Sequence, residues 1–389
     1  MKPAETSIET SVYPLVFQAD AGPLNLQPLP FVDSIAHVRT MARPLAGMQK
    51  EALIQYGPTG TIWRMVCDEG PWLNGTDLAP FPLAFFSAGL AASLISGFLE
   101  EAGDRDIRVD SVSIEQDNFF SMEGSALRGT MTAAAQPVRV TFLAHGNASI
   151  SDFEEIAQTA VQDRSPAERC LSLGLASGFA VRANNEELPW PGEPADRVAA
   201  LADPAAVFEQ ARPTSTEKLT IIGKSSSPGK TNPDAVGLQA EQKRVVHVRT
   251  QCTIREDGLK SISVQCIQPA GSRFEFLSDN SRAVGGQERA PSGLAYLSAG
   301  VAFCFMTQIG RYAHITKQKL SGYRIIQDTL FRLAQNCEPN AYAVETLVCL
   351  DTKEPRDKTI QLVRMGEQTC YIHASYRTAV STELKFGAL

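Results

Sequence analysis

The sequence repeats itself. GTDLAPFPLAFFSAGLAASLISGFLEEA, residues 75–102, aligns without a gap on GQERAPSGLAYLSAGVAFCFMTQIGRYA, residues 286–313, at an offset of 211 positions (300 − 89). Gly75/Gly286, Ala79/Ala290, Pro80/Pro291, Leu83/Leu294, Ala84/Ala295, Ser87/Ser298, Ala88/Ala299, Gly89/Gly300 and Ala91/Ala302 are identical. A repeat of that length marks two copies of one domain, not a short solenoid unit. Leu78–Leu99 and Ala290–Gly310 carry no charge, so each copy is expected to hold a helix that is apolar on all sides and sits in a core. In the middle of the second helix stands Cys304; the first has Ser93.

The chain of 389 residues is long enough for two or three domains. A net charge of −7, with no basic cluster beyond short groups such as Gln242-Lys243-Arg244, argues against nucleic acid as a partner. The N-terminus lacks a basic start followed by an apolar run and a small-residue cleavage site, so no secretory signal is read there. The two apolar stretches contain Ser and Gly, begin near Pro and lack a positive-inside flank, so core helices are expected and no membrane partner. Cys67, Cys170, Cys252, Cys266, Cys304, Cys337, Cys349 and Cys370 show no CxxC and no zinc-type pairing with His. No metal and no bound cofactor are expected. The compartment is read as a reducing cytoplasm, where most cysteines are small core residues.

In order, residues 1–48 read as a Pro-interrupted extension and 49–184 as the first domain. The domain is expected to hold strands at 52–56 and 61–67, the central helix at about 82–102, strands at 107–116, 129–134 and 138–144, and a helix at 151–162. Residues 185–242 accumulate Pro and Ser and read as a linker with one short helix near 204–210. The second domain, 243–389, is expected to place strands at 245–254, 260–268 and 273–277, the central helix at 292–312, a strand at 319–327, a helix at 341–348 and a strand at 359–363. Each copy is thus α+β, meander strands with helices on one face.

Cys304 is the residue whose chemistry matters most. A thiolate, not a thiol, is the nucleophile, and a mid-helix cysteine cannot use the helix N-terminus to lower its pKa. Thr307, Gln308 and Arg311 follow at i+3, i+4 and i+7 on the same face. Arg311 can supply positive charge by folding back; Arg289, just before the helix, is a second source. Thr307, Gln308, Ser93 and His373 are candidates for the wall of the site. If residue 370 onward is a strand, Cys370 and His373 point to opposite faces and do not form a couple. His314, at the end of the helix, is read as a capping or surface group.

Two features resemble the OsmC/Ohr family, the osmotically induced and organic-hydroperoxide-resistance proteins. One is the Pro-led, Ala- and Leu-rich helix with Cys304 in its middle, followed by Tyr312 and Ala313. The other is the E-x-x-C-Y-x-x-x-S pattern of Glu367, Cys370, Tyr371 and Ser375. The resemblance spans roughly 50–180 and 243–389. It implies two tandem OsmC-like domains, antiparallel sheets with a buried helix each, forming a pseudo-dimer within one chain that can associate further. It implies that Cys304 attacks a hydroperoxide, that Cys370 resolves the sulfenic acid as a disulfide, and that an external dithiol reduces it. Cys170 and Ser165-Pro166 resemble the second-cysteine segment in the first copy, whose Ser93 removes the attacking thiol. The family's glutamate ten residues before the reactive cysteine is replaced by Leu294, and by Leu83 in the first copy, with Glu288 nearby.

That missing carboxylate keeps two other functions open: Cys304 as nucleophile of a hydrolase or transferase for a small hydrophobic compound, and a non-catalytic protein that holds an apolar ligand between the copies. In all three the partner is a small hydrophobic molecule.

Overall fold

The structure, a computed structural model, describes residues 7–24, 26–30, 35–214, 219–227, 242–333 and 344–388. It is a mixed α+β molecule with two multi-stranded sheets and two long helices between them. The first sheet runs Val16–Ala19, Ile62–Cys67, Lys50–Tyr56, Ile35–Pro44, Leu320–Arg332, Val344–Thr352, Ser177–Ala183 and Glu186–Leu188. The second runs Ile222–Ser226, Arg273–Ser278, Lys260–Gln268, Gln242–Ile254, Val109–Gly124, Val138–Gly146 and Thr382–Ala388, with Thr132–Ala135 also paired to Val109–Gly124.

Read strand by strand, the two orders match. Ile62–Cys67 and Arg273–Ser278 begin 211 positions apart (273 − 62), as do Val109–Gly124 and Leu320–Arg332 (320 − 109). In each sheet a meander from one half of the chain is continued by strands from the other. The antiparallel seams are Ile35–Pro44 on Leu320–Arg332 and Gln242–Ile254 on Val109–Gly124. Beyond each seam comes one parallel pair, Val344–Thr352 on Ser177–Ala183 and Val138–Gly146 on Thr382–Ala388; in the first sheet Glu186–Leu188 then adds antiparallel at the edge. The seams are also joined by charge. Arg39 grips Asp328 with two contacts of 2.7 Å, and His37 Nε2 lies 2.8 Å from the same carboxylate. Across the other seam Arg249 and His247 hold Asp117 in the same way, at 2.8, 2.9 and 2.6 Å.

Several expectations change. Residues 16–19 and 35–44, read as part of an extension, are sheet strands, the latter in the middle of the first sheet. The stretch read as linker contains Glu186–Leu188 and Ile222–Ser226 as edge strands, besides the short helix Ala205–Phe208. The helix expected at 341–348 is the strand Val344–Thr352; residues 341–343 and Cys337 lie outside the described residues. This strand is buried on both faces, because Ala195, Val198, Phe208 and Ala211 cover the outside of the sheet where Leu347 and Cys349 point. A strand covered twice loses the alternation by which strands are recognised. The strand expected at 359–363 lies in the helix Arg356–Gln368, where Thr359, Leu362, Val363 and Gly366 form the buried stripe at helical spacing.

The central helices, Pro82–Asp104 and Gly293–Ile315, are each 23 residues and begin 211 positions apart (293 − 82). Both are long and apolar enough to cross a membrane, and 89% of each apolar window is buried inside the protein. The first packs on the second sheet, the second on the first sheet, and they pack on each other. Their backbones touch. A Cβ on Gly89 would lie 2.5 Å from the Gly293 carbonyl oxygen and from the Leu297 nitrogen; one on Gly300 would lie 2.6 Å from the Phe86 nitrogen. Contacts that close leave no room for a methyl group.

Helix propensity alone favours Ala over Gly by about 1 kcal/mol. At this crossing the clash outweighs it. Gly89→Ala is expected to destabilise the protein by about 1–3 kcal/mol, the usual range for overpacking. Urea unfolding of the variant beside Gly103→Ala, where a Cβ meets nothing within 4 Å, checks this: the control is expected to hold or gain stability.

Candidate functional site

Cys304 lies in the second central helix and is 2% exposed. Cys370 is fully buried and is the residue at which the helix Tyr371–Arg377 starts. Although 66 positions apart (370 − 304), the two thiols are near enough for Cys304 to act on the Cys370 thiol. Burial first, and then the neighbouring Cys304, raise the Cys370 pKa well above the ordinary thiol value. The backbone N–H groups of Ile372 and His373 face the sulfur and act in the opposite direction. Cys370 is therefore the thiol that keeps its proton.

Because Cys370 begins a helix and not a strand, His373 returns to it after one turn. His373 Nδ1 lies 3.1 Å from Cys370 Sγ, so the expectation that the two point apart is corrected. The ring is buried against Phe179 and Phe305, with centroids 5.8 and 5.2 Å away. Burial, and then the charge of Arg377, push its pKa down to about 3, so it is a neutral imidazole.

The first half of the chain supplies a polar wall that the sequence did not disclose. Thr307 Oγ1 donates to Glu69 Oε1 at 2.6 Å. Glu69 is buried, which raises its pKa, while Lys50, Thr307 and Arg311 pull it back. Arg311 donates to Gln308 Oε1 at 3.2 Å. Lys50, also buried, donates to the Met48 carbonyl at 2.6 Å. Cys67 stands close enough for Cys304, Lys50 and Glu69 to act on its thiol; burial is the largest cause of its strongly raised pKa. The loop carrying Glu69 is fixed by Asp68, whose carboxylate accepts from the Glu69 and Leu78 N–H groups and from Thr76 Oγ1. Gly75 closes it: a Cβ there would lie 1.8 Å from the Glu69 carbonyl oxygen, and the equivalent Gly286 stands in the same relation to Asn280.

Thus Cys304, Cys370, Thr307, Gln308, Arg311 and His373 belong to one neighbourhood with Lys50, Cys67 and Glu69. Arg289 does not join them through its hydrogen bonds or ion pairs: its guanidinium is engaged by Asp279 and by the Asp257 carbonyl. Glu288 accepts from Thr61 Oγ1 at 2.7 Å. His314 is exposed in the last turn of its helix.

Ser93 lies in a second cluster built on the same plan. Its hydroxyl is 2.9 Å from that of Ser165, the residue at which the helix Pro166–Ser172 starts. Ser165, not Cys170, therefore stands where Cys370 stands, 205 positions on (370 − 165), and Cys170 falls opposite Ser375. Lys260 donates to Asn280 Oδ1 at 2.6 Å and Ser96 to the same atom at 2.9 Å. Extending the 211-position alignment upstream pairs Glu69 with Asn280, and downstream pairs Ser96 with Thr307; that asymmetry was the available signal for the missed carboxylate. Among the described residues no group of three His, Cys, Asp or Glu is placed to hold a metal ion.

In the serine cluster Glu168 takes the place of His373 (373 − 168 = 205). Burial pushes its carboxyl up to about 7 from 4.5, against the pull of Thr382, which donates to it at 2.6 Å. A raised carboxyl pKa stabilises the fold while the unfolded chain's carboxyl is also neutral, and that contribution is lost as pH rises from about 4.5 through 7. At 1.36 kcal/mol per pH unit the loss is about 3 kcal/mol. Urea unfolding of wild type and Glu168→Gln from pH 4 to 8 is expected to show the wild type losing that much relative to the variant, with no further change above pH 7.

No protein-family model and no curated protein matches the chain. Among solved structures it is similar to an OsmC-like hydroperoxide resistance protein from Jannaschia sp. CCS1, at 13% identity over 40% of this chain and 98% of that one, with a TM-score of 0.26. At that TM-score the likeness carries no argument about what this chain does.

Proposed function

We propose that the chain is two OsmC-like units fused into an intrachain pseudo-dimer, with one working thiol site that reduces organic hydroperoxides. The observation that carries this reading is the buried proximity of Cys304 and Cys370, two thiols near enough to act on each other. In the first step the Cys304 sulfur attacks the terminal peroxide oxygen. An S–O bond forms, the O–O bond breaks, and the substrate leaves as an alcohol. Cys370 then attacks the sulfenic sulfur, giving a disulfide and water, and an external dithiol returns both thiols. Cys370 keeps its proton, which leaves Cys304 as the attacking partner. Lys50 and Arg311 supply positive charge to the neighbourhood, the condition that favours a thiolate. Glu69, reaching in from the other half, takes the place of the carboxylate that Leu294 removes.

The first half then serves as scaffold: Ser93 and Ser165 occupy the places of the two thiols there and offer no redox chemistry. The apolar surroundings of Cys304 favour a hydrophobic hydroperoxide, and a reducing cytoplasm is the setting in which such a pair is recharged. A cysteine hydrolase has no use for Cys370, so the thiol contact favours redox chemistry over acyl transfer.

The test starts from fully reduced protein and one equivalent of cumene hydroperoxide. Intact-mass analysis is expected to show loss of two hydrogens, mapped by peptides to a Cys304–Cys370 disulfide. Cys304→Ser is expected to abolish the reaction, and Cys370→Ser to halt it at a sulfenic acid on Cys304 that dimedone traps. If both thiols stay reduced in the wild type, the reading is wrong.

A further inference from the structure

Resting on the peroxidase reading, we propose that His373 is a catalytic residue of the resolving step, accepting the Cys370 proton at Nδ1 as the disulfide forms. The geometry is specific. Nδ1 lies 3.1 Å from Cys370 Sγ, while Nε2 is buried without a hydrogen-bond partner among the described residues. The rest of the ring is enclosed by Phe179 and Phe305. Leaving a buried polar atom unsatisfied costs about 1–3 kcal/mol. An apolar side chain would fill a Phe-lined slot without that cost, so packing gives no reason for an imidazole here. Among the described residues its one hydrogen-bond partner is the thiol that has to lose a proton.

The need for an acceptor follows from the reaction. In the reduced pair the Cys370 proton has two acceptors in reach, the Cys304 sulfur and His373 Nδ1. Once Cys304 carries oxygen, the first is no longer available as a thiolate, and the second remains. The Cys370 sulfur supplies the electron pair for the new S–S bond, and its proton passes to Nδ1. The S–O bond breaks, the oxygen leaves with the hydrogen it carries, and the proton from Nδ1 completes a water molecule. Cys304-SOH and Cys370-SH thus become a disulfide and water, with no other reagent. Burial keeps the imidazole neutral and a weak base, so it takes the proton only as the S–S bond forms and passes it at once to the departing oxygen.

His373→Asn retains a polar group near Cys370 but no basic nitrogen. After one equivalent of cumene hydroperoxide, quenching with dimedone at successive times separates the two steps by mass. Sulfenic acid on Cys304 is expected to appear at the wild-type rate in the variant, and its conversion to disulfide to slow by about 100-fold, the lower end for a lost general acid–base group. Disulfide formation at the wild-type rate overturns the proposal and leaves the peroxidase reading intact. Equal slowing of both steps indicates a structural role and also overturns it. No oxidation of Cys304 in the wild type overturns both. Should the variant fail to fold, the wild type decides: conversion of the Cys304 sulfenic acid to the disulfide is expected to slow in D2O, and the absence of that slowing rules out a proton transfer in the resolving step and overturns the proposal.

Discussion

Everything in this molecule leans on the place where two helix backbones touch. Gly89 and Gly300 let the central helices approach until a methyl group would overlap a backbone atom. Contact at that range makes the two helices one body, with a sheet packed on each outer side. The seams of the sheets then join strands from opposite halves, and Asp328 and Asp117 secure them with Arg and His ligands from across the seam. A change at the crossing is therefore felt in both sheets. Neither sheet can be assembled from one half of the chain alone.

The same interlacing builds the site. Cys304 and Cys370 come from the second half, whereas Glu69, Lys50 and Cys67 come from the first. Both Glu69 and Lys50 are buried, and the charge of Lys50 offsets part of the cost of burying the Glu69 carboxylate. The serine cluster is the same arrangement with its chemistry removed: Ser93 for Cys304, Ser165 for Cys370, Asn280 for Glu69. The substitutions are coherent. A carboxylate stands beside the thiol cluster, and a neutral amide stands at the equivalent place beside the hydroxyl cluster.

The repeat, both central helices and most meander strands are legible from residues alone, because each carries a periodic or compositional mark. Lys260–Gln268 falls where its alternation places it. The errors have separate physical causes. Val344–Thr352 is covered on both faces and shows no alternation; residues 35–44 are strand but lie in a Pro-rich setting that reads as irregular. At Cys370 the error is one of local geometry. A helix begins there in place of a strand, and that difference alone decides whether His373 faces the thiol.

The sequence by itself determined that there are two related halves, that each is organised on an apolar helix, and that only one helix carries a thiol. These are properties of order and composition, which need no third dimension. Which residues meet Cys304 was decided by the tertiary structure. Glu69 and Lys50 are separated from it by 235 and 254 positions (304 − 69; 304 − 50), and nothing local records that separation. They arrive because the halves exchange strands and the helices cross at glycine.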